Sequence, residues 1–277
     1  MDKLSTPTGL RDLAALSDSF PKTPRLPVLF VGHGSPMNAI EDNAFSRTWE
    51  ERGNLLPVPS AIVVISAHWL THGTLIGAMP KPRTIHDFGG FPQELFAMQY
   101  PAPGSPELAE FVNGQLAEIK LDHEWGLDHG AWSILSRMFP KANIPVLQLS
   151  IDWDRDPGEQ YRIAGQLREL RQRGVLFLGS GNIVHNLREV IFDEDVKFDW
   201  ALEFEALSLK LISEHRYQEL IDWKNLGAAA RRSIPTDDHY RPFLATLGLT
   251  YPEEEPRFFN RGVNMGSLSM LSVQFGD

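Results

Sequence analysis

The segment Pro27-Val-Leu-Phe-Val-Gly-His33-Gly-Ser-Pro-Met-Asn38 decides how this 277-residue chain is read. Apolar or small residues run unbroken from Val28 to Gly32, the pattern of a strand buried on both faces. His33-Gly34-Ser35-Pro36 then ends any regular structure. An imidazole therefore stands at the carboxyl end of a buried strand, the edge where ligands sit in open α/β sheets. The device recurs at Ala61-Ile-Val-Val-Ile-Ser-Ala-His68 and, more loosely, at Val175-Leu-Phe-Leu-Gly-Ser-Gly-Asn-Ile-Val-His185.

Outward from these strands the chain alternates strand and helix patterns, which predicts an α/β fold: a single domain with a mostly parallel central sheet flanked by helices. Residues 1–25 read as a polar lead-in that packs late or stays mobile, and 26–277 as the domain. Asn38 to Trp49 suggests a short helix, ending before Gly53. Residues 80–106 form a long Pro- and Gly-rich loop whose aromatic content marks a lid or pocket wall. Ser105-Pro106 opens a helix whose apolar stripe runs Leu108, Phe111, Val112, Leu116, Ile119. Another helix starts near Asp128 and reaches about Phe139. A strand covers Ile144 to Ser150, and Asp156-Pro157 caps a helix that ends before Gly174. Asp199 is read as the cap of a long amphipathic helix, 227–232 as a bend, Phe243 to Leu247 as a helix, and Ser269 to Phe275 as a last strand.

The net charge of −10 argues against nucleic acid or an anionic membrane as partner. With no cysteine, disulfides, thiolate catalysis and cysteine-ligated metals are excluded, so any metal is held by His, Asp or Glu. The first residues lack the apolar core of a secretory signal, and no run approaches the ~18 apolar residues of a membrane span. A cytoplasmic protein is the simplest expectation.

Nine histidines are present, and the question is which of them converge. A single His after a strand is more often a hydrogen-bonded structural residue than a ligand. For His33 and His68 together the functional reading wins, because both follow buried strands whose ends could be adjacent in one parallel sheet. His185 is intermediate, since Gly179-Ser-Gly-Asn182 could be only an anion-binding turn. His129 sits beside Asp128 at a helix start, and His239 follows two Asp in a Pro-bounded loop. His72, His123 and His215 are placed at the surface. Ser180 lacks the nucleophile-elbow spacing, and there is no dinucleotide fingerprint or P-loop. Asp152, Asp154 and Asp156 lack the glycine and distal Glu of an EF-hand.

Six ordered motifs then carry a resemblance. They are Gly32-His-Gly-Ser-Pro-Met-Asn38, Ser66-Ala-His-Trp69, His86-Asp-Phe-Gly-Gly-Phe-Pro92, Asp128-His-Gly-Ala-Trp132, Gly181-Asn-Ile-Val-His-Asn186 and Met265-Gly-Ser-Leu-Ser-Met270. From about residue 27 to the C-terminus the chain closely resembles the 4,5-DOPA extradiol dioxygenase family, within the class III extradiol ring-cleaving dioxygenases. The resemblance implies one divalent metal per chain at the carboxyl ends of the strands, Fe(II) for activity; an all-His site also suits zinc, which affinity order favours, so Zn(II) is expected as purified. His33, His68 and His239 match the family's metal ligands. His185 matches a His at or beside the metal that also does acid–base work, and His129 a catalytic His facing substrate. His239 replaces the carboxylate of the facial triad used elsewhere in class III. The implied substrates are a small, DOPA-like catechol and O₂, giving a ring-opened semialdehyde. Ser35, Trp69, His86, Asp87 and Tyr240 are the expected substrate-binding and water-excluding residues. The rival expectations are a zinc hydrolase using the same imidazoles and a non-catalytic zinc- or ligand-binding protein.

Overall fold

The computed structural model describes residues 20–193 and 195–277. The expectation for the lead-in falls largely on residues outside that range. Within it, Phe20 is buried, and the Thr23 and Leu26 N–H groups donate to the carbonyls of Gln172 and Arg171.

The strands are β1 (Val28–Gly32), β2 (Ala61–Thr71), β3 (Thr74–Gly77), β4 (Ile119–Asp122), β5 (Val146–Asp152), β6 (Val175–Gly181), β7 (Pro256–Phe259), β8 (Val263–Asn264), β9 (Leu268–Ser269) and β10 (Ser272–Phe275). The helices are α1 (Ala44–Leu55), α2 (Gln93–Ala97), α3 (Pro106–Gln115), α4 (His129–Met138), α5 (Pro157–Gly165), α6 (Asp199–Ser213), α7 (Tyr217–Ile221), α8 (Ala228–Ser233) and α9 (Arg241–Gly248). Among the described residues the main sheet has eight strands, in the order β4-β3-β5-β2-β6-β1-β10-β7. Its centre, β5-β2-β6-β1, is parallel throughout, and antiparallel β10 and β7 extend one edge.

Alternate residues of the central strands feed two apolar layers. Phe30, Val63 and Phe177 face one layer with Ile163, Phe204 and Phe243 from α5, α6 and α9. Leu29, Val64 and Leu178 face the other with Trp49 of α1 and Trp132 of α4. Coverage on both faces is what the uninterrupted apolar runs demand.

Several local expectations shift. The first helix starts at Ala44, where Asn43 and Ser46 form a reciprocal cap, and it continues through Gly53. That glycine is a helix–helix contact, since a Cβ there would lie 2.2 Å from the Met138 carbonyl oxygen. The 106 helix stops at Gln115, and Ile119 belongs to β4, which pairs in parallel with β3. Asp199 is the first helical residue of α6 and not its cap. Residues 228–233 are helical rather than a bend. The last apolar stretch divides, β9 pairing with β8 in a separate ribbon while β10 joins β1. Among the described residues no helix is long and apolar enough to cross a membrane.

Candidate metal centre

Strand ends and one loop bring three imidazoles together. His33 leaves β1, with its N–H on the Gly181 carbonyl. His68 lies inside β2, where the register against β5 slips between Ile65 and Leu70. An irregularity of this kind re-aims a side chain next to a functional site. β1 and β2 are not neighbours, as the sequence suggested; β6 lies between them and pairs with both. His239 arrives on the loop between α8 and α9, its carbonyl accepting the Asn182 N–H at 2.9 Å. The ring centroids form a near-equilateral triangle: His33–His68 5.2 Å, His33–His239 5.2 Å and His68–His239 5.1 Å.

Each of the three has its Nδ1 near an oxygen. The Ser180 hydroxyl donates its single proton to the Gly130 carbonyl at 2.6 Å, so at 2.9 Å from His33 Nδ1 it must accept. His33 therefore carries its proton on Nδ1 and a lone pair on Nε2. His239 Nδ1 bonds the Asp238 carboxylate, and His68 Nδ1 lies 3.3 Å from Asp87 Oδ2. The hydrogen bonds of His33 and His239 are of the outer kind that sets the tautomer of metal-binding histidines. The Nε2 atoms of His33 and His68 are 3.4 Å apart, close to the roughly 3.3 Å that two metal–nitrogen bonds of ~2.0–2.1 Å subtend at a tetrahedral angle. The ligand atoms of His33, His68 and His239 all fall within 4.8 Å of one another. Burial first, then the nearby imidazoles, hold His33 and His68 well below the ordinary 6.5, so both are neutral. Three imidazoles without a thiolate fit Zn(II) or Fe(II).

His185 stands apart from that triangle. Its ring stacks flat on His239, centroids 3.5 Å apart and planes 6° from parallel. Its backbone bridges Leu268 of β9 and bonds the Ser233 carbonyl. The chain beyond it makes only a three-residue 3-10 turn, Leu187–Glu189. Burial and the charge of His239 keep His185 well below 6.5, against the pull of Asp238.

His129 opens α4 and lies with its ring 3.9 Å from that of His68. The acid against it is not its neighbour Asp128. The Asp128 side chain turns inward, capping α4 and accepting from Ser66 Oγ and Gln148 Nε2, each at 2.7 Å. Asp87 faces His129 instead: Oδ1 accepts its N–H at 2.9 Å, and Oδ2 lies 3.0 Å from Nδ1. That second contact lacks hydrogen-bond alignment, so both atoms are buried without a hydrogen-bond partner among the described residues. Burial raises the Asp87 carboxyl, but its contacts with His129 outweigh it and leave it below the usual range. Gly130 lets this helix start approach, because a Cβ there would lie 2.5 Å from Ser66 Oγ and 3.0 Å from the His68 ring.

The residues expected to bind substrate separate. Phe88 packs edge-on to His129, 5.5 Å between centroids, and is backed by Phe91, Phe96 and Trp132, so the 80–106 loop does wall the site. His86 latches that loop by bonding the Met98 carbonyl at 2.9 Å. Asp87 orients imidazoles rather than facing open space. Ser35 accepts the Met37 N–H at the start of a 3-10 turn and lines a small cavity. Two expectations are corrected. Tyr240 is fully buried, its hydroxyl on the Leu220 carbonyl, because α9 turns it into the core. Trp69 is buried against Trp125 in parallel stacking and so is not available as a lid. Sequence reasoning passed over Ser180 and Asp238; the Asp directly before His239 was the one available signal.

A mostly parallel α/β sheet offering three convergent imidazoles at its carboxyl edge defines the class: an α/β protein built around a candidate metal centre. Residues 27–275 match the family described as the catalytic LigB subunit of aromatic ring-opening dioxygenase. The chain is 45% identical to the 4,5-DOPA dioxygenase extradiol of Escherichia coli (strain K12), over 94% of this chain and 98% of that protein. It is 32% identical to the protein of the same name from Beta vulgaris, over 89% of this chain and 95% of that one. The crystal structure of an uncharacterised Escherichia coli K12 protein superposes with a TM-score of 0.80 at 40% identity, covering 91% of this chain and all of that one. The chain belongs to this LigB family and is an extradiol aromatic ring-opening dioxygenase, an oxidoreductase.

Proposed function

We propose that the protein opens the ring of a small, DOPA-like catechol with O₂, using one divalent metal held by His33, His68 and His239. One observation carries this: three buried or half-buried imidazoles converge, with the Nδ1 atoms of His33 and His239 hydrogen-bonded and that of His68 3.3 Å from Asp87 Oδ2, which leaves the Nε2 atoms for a metal. When bound, Fe(II) supplies open positions for the catechol oxygens and O₂ and lowers the phenolic pKa. The protein's own groups do the rest. His129, braced by Asp87, accepts a phenolic proton, and neutral His185 on the face of His239 exchanges a proton during ring opening. Phe88 and its aromatic backing exclude water above His129. Both oxygen atoms enter the product, a ring-opened semialdehyde.

Affinity order favours Zn(II) over Fe(II) at an all-imidazole site. Aerobically purified protein is therefore expected to carry mostly zinc and to turn over slowly. Apo protein rebuilt with Fe(II) under nitrogen should consume oxygen and form a yellow product from catechols on exposure to air. Absence of oxygen uptake across a catechol panel after verified Fe(II) loading would reject the assignment.

A further inference from the structure

The carboxylate of Asp87 meets two imidazoles in a way that bracing alone does not explain. Its Oδ1 accepts the His129 N–H at 2.9 Å, which fixes the group against the start of α4. Its Oδ2 then lies 3.0 Å from His129 Nδ1 and 3.3 Å from His68 Nδ1. An acid that served only to orient a ring would place this oxygen along one N–H. Here it is aligned with neither, and Oδ2 and His129 Nδ1 are both buried without a hydrogen-bond partner among the described residues. His129 is only 6% exposed, so bulk solvent does not supply the missing bond.

These atoms stand at the spacing of ligands. Two donors held by one cation at ~2.0–2.2 Å lie roughly 3.0 Å apart at a right angle and about 3.4 Å apart at a tetrahedral one. Both contacts of Asp87 Oδ2 fall in that range. His68, Asp87 and His129 each offer a ligand atom within 4.8 Å of the other two. Two imidazoles and a carboxylate suit a divalent transition metal. His68 can serve this group and the triangle together, because its Nε2 lies 3.4 Å from His33 Nε2 while its Nδ1 turns to Asp87. To use both nitrogens the ring releases its one proton to solvent. The imidazolate and the Asp87 carboxylate then carry two negative charges against the incoming dication, whose field favours the deprotonated form. His185, Asp238 and His239 make a comparable group, but there His239 Nδ1 is already hydrogen-bonded to Asp238.

We propose that His68, Asp87 and His129 form a second divalent-cation site, and that Zn(II) bound there inhibits the enzyme. The proposal rests on the metal centre of His33, His68 and His239 and adds a site beside it. A cation on His129 Nδ1 confines the proton of that ring to Nε2, so no lone pair remains to accept a phenolic proton. Apo protein is dialysed against buffered Zn(II) and its zinc content measured. The unaltered protein should take up a tight equivalent and then a weaker second one. Asp87→Asn keeps the side-chain shape and an acceptor for the His129 N–H; it and His129→Gln should each stop at the first equivalent, with Tm showing that both fold. His239→Ala should lose the tight equivalent and keep the weaker. Exposed His72, paired with Asp154, is the obvious adventitious zinc ligand, and His72→Ala should leave both equivalents in place. With Fe(II) in the first site, excess Zn(II) should slow oxygen uptake by roughly 10²–10⁴ at unchanged iron content, the scale of a lost general base. In Asp87→Asn the same addition should leave that variant's own rate nearly unchanged. A single equivalent in the unaltered protein overturns the second site, as does a second equivalent that survives Asp87→Asn or His129→Gln or vanishes in His72→Ala. Two equivalents without slowing, or slowing that tracks loss of iron, overturns the inhibition. A tight equivalent retained in His239→Ala overturns the triangle and not this site.

Discussion

At the scale of single residues, the proton positions matter most. Ser180 has one hydroxyl proton and gives it to Gly130, which obliges His33 to donate from Nδ1. Ser180→Ala removes that constraint, and metal affinity should fall by about 10–100-fold, the usual effect of losing an outer partner of a metal-binding His. Chelator competition at fixed pH measures it; unchanged affinity would deny Ser180 this positioning role. His129 lies outside the imidazole triangle, so His129→Ala should keep its metal and lose roughly 10²–10⁴ in rate. His185→Ala should behave likewise if its ring, stacked on His239, carries protons; metal lost together with rate would make it a ligand. Metal content and turnover measured on the same samples decide both. The paired Nδ1 contacts could not be read from the sequence, because Ser180, Asp87 and Asp238 reach their imidazoles through the fold and the rotamer. Tyr240 shows the converse, a residue adjacent to His239 whose side chain enters the core.

At the scale of elements, α4 shows how local and distant forces combine. Asp128 was legible as a helix start, and it is the cap of α4. The same carboxylate also accepts from Ser66 on β2 and Gln148 on β5, fastening the helix to the sheet edge that carries His68. Asp128→Ala should cost at least ~2 kcal/mol, combining a lost cap with buried donors left without an acceptor. Urea denaturation of the two proteins tests this, and a difference below ~0.5 kcal/mol would show that water or a repacked side chain replaces the carboxylate. Elements with strong periodic signals, such as β1, β2 and β6, lie close to where the sequence puts them, whereas the helix opened by Asp156-Pro157 ends at Gly165 and a 3-10 stretch, Arg168–Arg173, runs on to Gly174. The short strands β3 and β4 at one side of the sheet escaped, since a four-residue strand has too little pattern to outweigh a neighbouring helical one.

At the scale of the molecule, a buried ion pair closes the end of the sheet opposite the imidazoles. Arg171 is fully buried and joins Glu254 to the carbonyls of Leu26 and Leu249. Glu254→Ala strands the guanidinium, and a loss of about 3–5 kcal/mol is expected. Metal content should be unchanged, because β1 spans the distance between the two ends. The imidazole cluster also ties stability to pH. The folded-state pKa values of His33, His68 and His185 are depressed from 6.5, so as pH falls through that value the unfolded chain takes up protons first. Stability is thus present above 6.5 and lost below it. The Tm of metal-free protein should fall between about pH 6.5 and 5, less steeply in His33→Asn. A flat profile would show that these imidazoles are not held neutral.

By itself the sequence determined the layered α/β architecture, the family and the identity of the clustered imidazoles. Apolar runs dictate strands buried on both faces, and an ordered set of motifs survives without reference to distance. The tertiary structure alone decided the partners: that β6 lies between the strands carrying His33 and His68, and that Asp87 rather than Asp128 faces His129. It also decided that His185 stacks on His239. The physical reason is range. Burial patterns and caps are encoded within a few residues, whereas hydrogen bonds between side chains dozens or hundreds of positions apart depend on strand order, register and rotamer, which only the packed chain specifies.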